Sequence, residues 1–498
     1  MKDLYSVKFC VDGEKTELYQ NIKGEYGLID ENTITLKEGS SIDLLTYFNS
    51  FSTKKWTKFT TLEKLFVKGS ISGRAVIEFV ALDDAGTEVI KTITVTGEFV
   101  FELPDSAWNH EILGIRVSAP DGECTLCDFV YCGEFGSYSD KKIGVVICTF
   151  KREKYVKRTI RVLRNFSVDH EWLSTLVVDN GRSLPEASEK GFRLLHNPNY
   201  GGSGGFARGM IERVKENHVD YVLLMDDDIE LEINSIDRAH SFLSGLKGEY
   251  RDSFLGGAML CMEMPYVQHE NTAYFDKIRI HSCGRGMDLR KAQNLVINEK
   301  NVNAHKNRYA AWWFCCIPLE RIKEIGYPLP VFVKGDDIEY SVRNNRQIIN
   351  MNGIGVWHEA FVSKLNNATI YFAERNMHIV HQYAYGCNRF TLFVSIVGRL
   401  AKWLVRRNFE AVVFLSLAID DFIKGLEAMT AVPADEKFAR VRNFKSERSI
   451  VIDAVNILYK SLYCLWNYKK ILDSYDEFRR DNLSTDGFWM QYLKIEAR

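Results

Sequence analysis

The sequence lacks any apolar run near the ~20 residues that a membrane-crossing helix needs, which argues against a spanning segment. It also lacks an excess of positive charge. Its 64 Lys and Arg stand against 66 Asp and Glu, so a bulk polybasic nucleic-acid binder is excluded. The opening MKDLYSVKFCVDGEK carries acidic and polar groups where a secretory signal needs an uninterrupted apolar stretch. The 11 cysteines show no repeated spacing, and the one CxxC, Cys124 to Cys127, has no second pair at zinc-finger distance. Cys315 and Cys316 lie in an aromatic stretch and read as core. Long repeats and low-complexity tracts are absent too. These absences predict a cytoplasmic chain with reduced thiols that does not bind nucleic acid.

What is present is core material. With 46% hydrophobic and 26% charged residues, the chain has the balance of a soluble globular protein. At roughly 150 residues per domain, 498 residues predict about three domains. The texture changes twice. Residues 1–138 show β-branched alternation, as in AVIEFVAL at 75–82 and VIKTITV at 89–95, broken by Asp/Gly turns. That pattern predicts an antiparallel sandwich or barrel, suited to packing or to carbohydrate binding. Residues 139–388 alternate continuous apolar strands (IGVVIC at 143–148, TLVVD at 175–179, YVLLM at 221–225) with helical stretches, the mark of an α/β unit with a mostly parallel sheet. Residues 389–498 show apolar spacing of helical period only, predicting a helical C-terminal region. Within it, Arg399, Lys402, Arg406 and Arg407 alternate with apolar residues. Such a helix suits an anionic membrane surface, or it is an ordinary solvated face.

Three motifs carry chemistry. Asp226, Asp227 and Asp228 follow a buried strand. In extended chain, Asp226 and Asp228 project to one side and Asp227 to the other, so the outer pair forms a hard-oxygen site suited to Mg²⁺ or Mn²⁺. The stretch GGSGG at 201–205, after Asn199, predicts a glycine-rich loop before a helix at about 206–217, where backbone amides approach an anion. Gly202, Gly204 and Ala207 formally satisfy G-x-G-x-x-A, but the loop does not follow the unit's first strand and lacks the Lys-Ser/Thr of a P-loop. Asp336 and Asp337 open a helix in which Glu339 and Arg343 sit four apart; they suit general acid–base work or simple helix capping. Trp312 and Trp313 offer indoles for sugar stacking or for the core, and His358 ends a strand-like run.

The ordered set of motifs, CTFKR at 148–152, VVDN at 177–180, NYGGSGGFARG at 199–209, Asp226 to Asp228, Asp336-Asp337-x-Glu339 and Trp357-His358, resembles the family 2 glycosyltransferases of the GT-A fold. Within them it looks most like bacterial galactofuranosyltransferases that extend galactan on lipid-linked acceptors. The resemblance implies that Thr149, Arg152 and Asp179 hold the uridine of a UDP-linked donor. Asn199, Gly201 and Gly202 would face its diphosphate and sugar, with Asp226 and Asp227 also on the donor side. It implies a Mg²⁺ or Mn²⁺ ion on Asp226, Asp228 and His358, Asp337 as general base, and Trp312, Trp313 and Asp336 at the acceptor. Galactofuranose is the expected sugar, moved with inversion onto a glycan or lipid-linked glycan in cell-surface polysaccharide synthesis. Galactose or rhamnose is the rival. Peripheral contact at the inner face of the cell membrane and a homo-oligomer are expected with it. One departure stands out: Gly335 occupies a place where galactan-polymerising members carry a bulky tryptophan. The competing classes are a nucleotide-dependent oxidoreductase built on the glycine loop and a non-catalytic glycan-binding protein.

Overall fold

The computed structural model describes all residues except 12, 301–304, 360–366, 445–448 and 496–498. The N-terminal part is one antiparallel sheet of nine strands. Its spine is the hairpin Leu62–Asp83 and Gly86–Glu102. The other edge of Leu62–Asp83 is shared: its first half pairs with Cys124–Phe135 and its second half with Ile112–Ser118. The register shifts between Ile71 and Ala75, where Gly73 takes a left-handed φ of +86°. One long strand thus serves both layers of a sandwich.

The sheet of the α/β unit begins with β1 (Ile143–Thr149), α1 (Glu153–Ser167), β2 (Leu173–Asp179), β3 (Phe192–His196), α2 (Gly201–Glu216) and β4 (Tyr221–Asp226). The four strands are parallel in the order β3-β2-β1-β4. Their apolar residues are buried on both faces, as covered parallel strands require. The chain leaves β1 toward β2 on one side and returns as β4 on the other. Thr149 and Asp226 therefore end neighbouring strands at the switch point, where α/β sheets bind ligands. β5 (Cys315–Pro318) continues the sheet antiparallel to β4, with Cys315 and Cys316 fully buried. A second, four-stranded sheet carries β6 (Gly355–His358), paired in register so that His358 lies opposite Ile229. Between β5 and β6 runs α3 (Asp336–Asn344).

The helices that follow the second sheet are α4 (Asn367–Tyr383), α5 (Arg389–Val405), α6 (Phe409–Thr430), α7 (Ala434–Arg442), α8 (Ile450–Asn482) and α9 (Gly487–Tyr492). Among the described residues, no helix is long and apolar enough to cross a membrane. The chain end returns to the α/β unit: Trp489 donates to Pro328 O at 3.1 Å and lies against Gly204 with Leu493. The basic pattern on α5 is partly internal. Arg399 pairs with the buried Glu374 at 2.6 Å, Lys402 lies 3.7 Å from it, and the Trp403 indole donates to it at 2.9 Å. Arg406 and Arg407 are exposed, and Lys402 is exposed as well despite its approach to Glu374.

Residues 201–205 depart from expectation. They are not a loop but the first turns of α2. Gly205 and Gly209, four apart, face successive inward side chains of β1. A Cβ at Gly205 would stand 2.1 Å from Cys148 Sγ, and one at Gly209 would stand 2.1 Å from Val146 Cγ1. The glycines let helix and strand touch. Gly209→Ala therefore sets about 1–3 kcal/mol of overpacking against about 1 kcal/mol of gained helix propensity, for a net loss of up to about 2 kcal/mol. Gly398 on α5 is exposed with nothing within 4 Å of an added Cβ, so Gly398→Ala should stabilise by up to about 1 kcal/mol. Thermal unfolding of the two variants should show apparent Tm shifts of opposite sign.

Candidate active site

The carboxyl ends of β1 and β4, the start of α2, the start of α3 and the end of β6 enclose a cavity of about 670 Å³. Asp226, Asp227 and Asp228 leave β4 in the alternation that extended chain imposes. Asp227 turns back into the fold, accepting from Thr149 Oγ1 at 2.7 Å and from the Phe150 amide at 3.4 Å. Asp228 accepts from Arg152 and lies 3.0 Å from His358 Nε2. His358 Nδ1 donates to Glu359 O at 2.6 Å, which leaves Nε2 for the carboxylates. One ligand atom each from Asp226, Asp228 and His358 lies within 4.8 Å of the others. Two carboxylates and an imidazole are a donor set that fits Mn²⁺ or Mg²⁺, so these residues suit the divalent ion of the sequence reading.

Electrostatics mark the same place. Burial pushes Asp226 up to about 6, with Asp228 and Asp337 adding to it and His358 opposing. Burial pushes Asp227 up to about 7. For His358 burial works against the charged ring, but the bond and charge of Asp228 outweigh it and raise its pKa. Across the cavity α3 starts on Gly335, whose φ of +84° rules out an easy tryptophan in this backbone. Gly335 makes no side-chain cap, and Asp337 Oδ1 accepts from the next amide, Ile338 N, at 2.8 Å. Burial raises both Asp336 and Asp337, and their mutual repulsion lifts Asp336 further. The Glu339–Arg343 ion pair is buried behind them.

Other expected residues sit differently. Arg152 lines the cavity but is paired to Asp228. Thr149 is buried and serves Asp227. Asp179 is fully buried, and its oxygens accept from the amides of Gly181, Ser183 and Leu184 at 2.7–2.8 Å. That carboxylate organises the loop after β2 instead of facing the cavity. Asn199, Gly201 and Gly202 do line it. The first-turn amides of α2 are largely committed: Gly201 N donates to Asn199 Oδ1 at 3.2 Å and Ser203 N to Phe332 O at 3.1 Å. A dinucleotide loop of the G-x-G-x-x-A kind has no place here, because these residues are helical. Trp312 and Trp313 line the cavity yet are only 4% and 6% exposed, with the Trp313 indole donating to Gly257 O at 2.9 Å. They are cavity walls rather than exposed platforms.

Sequence reasoning missed four features. Asn180 lines the cavity and donates to Gly201 O at 3.0 Å. Glu270 is buried beside Ser282, and burial with the charge of Asp337 pushes it up to about 7. Arg375 and Asn376 of α4 hold the 331–334 segment through its carbonyls. Finally α7, far along the chain, adds Asp435, Phe438 and Arg442 to the cavity wall. The Asp179–Asn180 sequence could have flagged Asn180; the others carry no local signal.

A parallel sheet ending in paired acids, an imidazole from a second sheet and an acidic helix start opposite define a GT-A glycosyltransferase. Residues 144–283 match the family described as Glycosyl transferase family 2, which agrees with that arrangement. Residues 17–112 match the family described as Galactofuranosyltransferase 2 N-terminal. The chain is 26% identical over 444 residues to galactofuranosyltransferase GlfT2 of Mycolicibacterium smegmatis, covering 82% of this chain and 68% of that protein. It is 27% identical over 432 residues to the Mycobacterium tuberculosis GlfT2, covering 79% and 67%. Among solved structures, a mannosyltransferase from Pyrobaculum calidifontis in complex with GDP-Man and Mn²⁺ is similar at 12% identity and a TM-score of 0.32, over 66% of this chain and 90% of that one. That likeness is too distant to inform the site.

The geometry gives a direct test. Mn²⁺ titrated into the protein by calorimetry should bind, and Asp228→Asn or His358→Ala should each weaken it at least tenfold. Binding unchanged in both variants would remove the ion from this position.

Proposed function

We propose that the chain transfers galactofuranose from a UDP-linked donor, with inversion, onto a glycan carried by a lipid in cell-surface polysaccharide synthesis. The observation that supports it is a single cavity in which the Asp226–Asp228–His358 set faces the Asp336–Asp337 pair. In this reading residues 1–138, 139–388 and 389–498 act as a sandwich, a transferase unit and a helical region. Asp226, Asp228 and His358 hold Mg²⁺ or Mn²⁺, which when bound offsets the negative charge of a leaving diphosphate.

The chain's own residues do the rest. Asp337 removes the proton of the attacking acceptor hydroxyl. Asp336, the more strongly raised of the pair, stays protonated longer and so lets its neighbour ionise. Asp227 stays tied to Thr149 and keeps the β4 end fixed for its neighbours. Asn180, Asn199 and Arg152 are the polar groups offered to the donor nucleotide, and Trp312 and Trp313 exclude water beside the acceptor. No covalent intermediate on the enzyme is needed.

Three outcomes test this. A panel of nucleotide sugars should release UDP fastest from UDP-galactofuranose, and only with a divalent ion present. Asp337→Asn should cut turnover by ~10²–10⁴ with UDP affinity retained, since asparagine keeps the shape but takes no proton. A residue that only organises the helix start would tolerate asparagine, and turnover would be near normal. Burial places Asp337 at about 6 against its amide bond and the charge of Lys334. The base must be ionised, so wild-type turnover should fall about tenfold per pH unit below about 6.

We also assign lipid contact to α8 in place of the α5 pattern. Val451, Val455, Leu458, Leu462 and Trp466 recur at helical spacing and are all exposed, Trp466 to 78%. Lys469 and Lys470 follow on the same helix, and both are exposed. An apolar stripe bordered by cations fits an anionic lipid surface. Flotation with phosphatidylglycerol vesicles should recover the protein, and the double substitution Leu462→Ser with Trp466→Ser should lose most of it. Recovery indifferent to both the lipid charge and the substitutions would end this assignment.

A further inference from the structure

The far wall of the cavity comes from α7, a nine-residue helix of the C-terminal region. One side of α7 is anchored. Ala434 and Val441 are buried, and Lys437 pairs with Asp421 at 2.5 Å. The other side presents Asp435, Phe438 and Arg442, spaced i, i+3 and i+7, to the cavity. Phe438 packs on Phe332 with centroids 5.7 Å apart and stacks on Phe372 at 6.2 Å and 16°. Among the described residues, neither Asp435 nor Arg442 has an oppositely charged side chain within 4 Å.

From this face we infer an acceptor saccharide subsite on α7, with Phe438 as the stacking platform and Asp435 and Arg442 as hydrogen-bonding groups one turn to either side. The inference rests on the glycosyltransferase reading above and names where its acceptor extends. Three observations carry it. The charges oppose each other, so the face as a whole is neutral. A diphosphate would gain from Arg442 and lose to Asp435, whereas a neutral polyhydroxyl ligand uses both, donating to the carboxylate and accepting from the guanidinium. An aromatic ring between two polar groups offers an apolar face to the C–H side of a sugar ring.

The location then selects acceptor over donor. Phe438 sits on Phe332, in the segment that leads to Asp336 and Asp337. A base that takes the acceptor's proton must touch the acceptor, so a platform built on the base's own segment lies on that side. From Asp435 to Arg442 the helix rises about 10 Å, roughly the length of two linked sugar rings. The subsite therefore holds sugars behind the reacting one.

The test uses the full chain and synthetic β-linked galactofuranose oligosaccharides of one to five units. Arg442→Gln and Asp435→Asn alter exposed side chains, so folding is not at stake; Phe438→Ala and Phe438→Tyr complete the set. With the longer acceptors, Arg442→Gln, Asp435→Asn and Phe438→Ala should each raise KM at least fivefold with kcat little changed, and Phe438→Tyr should restore most of the loss. The advantage of long acceptors over the monosaccharide should shrink in the same variants, with UDP affinity by calorimetry within twofold of the parent. Equal KM for long acceptors in Arg442→Gln and Asp435→Asn would overturn the subsite, as would a loss of UDP affinity of the same size. If the parent protein turns over none of these acceptors, the functional reading fails instead. Binding of the pentasaccharide alone, followed by ligand NMR in parent and variants, still decides the subsite in that case.

Discussion

Five of the six carboxylates that line the cavity, Asp226, Asp227, Asp228, Asp336 and Asp337, come from the end of β4 and the start of α3. Removing that much like charge from water is costly unless each group finds a partner, and the surrounding fold is organised around supplying them. Asp227 takes the Thr149 hydroxyl and the Phe150 amide; Asp228 takes Arg152 and His358; Asp337 takes the Ile338 amide. The strand order β3-β2-β1-β4 is what sets the Thr149 end of β1 beside the acids of β4. Burial and the charge of Asp337 push Asp336 up to about 8, against the pull of its own amide and the next. The proposed reaction, with a divalent ion on some carboxylates and a proton taken by another, needs carboxylates whose affinities for protons differ. Uneven partnering provides that difference.

The acidic pair on α3 also depends on an approach with unusual backbone. Phe332, Lys334 and Gly335 have φ of +73°, +66° and +84°, three left-handed residues in four. Non-glycine residues held there carry strain that neighbours must offset. The neighbours are on α4 and α2. Asn376 donates to the carbonyls of Val331, Val333 and Lys334, Arg375 donates to Val331 O at 2.7 Å, and Ser203 Oγ accepts from the Phe332 amide at 2.9 Å. The segment is thereby tied to the same α2 start that packs against β1. The α2 start and the acids of α3 share one clamp, so their separation across the cavity is fixed by packing and not by a flexible loop.

How much of this could be read from sequence follows from range. Period and composition are local, so the covered strands of the α/β unit, the acids at the end of YVLLM and the helix opening on Asp336 were all legible. Gly201 to Gly205 misled because glycine is a poor helix former, and only distant contacts, Gly205 with Cys148 and Gly201 with Phe332, explain it. The family resemblance, and no local pattern, is what implies a donor contact for Asp179. Its commitment to three amides of its own loop is a backbone fact with no residue-type signature. The basic pattern on α5 looked solvated because Glu374, which takes Arg399, lies on another helix. Short α7 has a face whose meaning depends on Phe332, about a hundred residues before it.

The N-terminal sandwich completes the logic by bracing the strand that ends in His358. On β6, Trp357 and His358 point to opposite faces. The His358 face is the cavity. The Trp357 face is met by the sandwich: Phe48 lies 5.4 Å away ring to ring, and Lys15 sits 4.4 Å above the indole while pairing with Glu230 at 2.6 Å. The indole N–H is fixed on Pro265 O at 3.0 Å. Leu45, Tyr47 and Phe48 share one buried cluster with Leu260 and Trp357. A strand paired only at its edges can slide or tilt, and a ligand-bearing imidazole would move with it. Packing the adjacent indole into the sandwich core removes that freedom, because register in a strand moves both faces together. The module that looks most like an appendage in the sequence is thus mechanically one residue from the cavity.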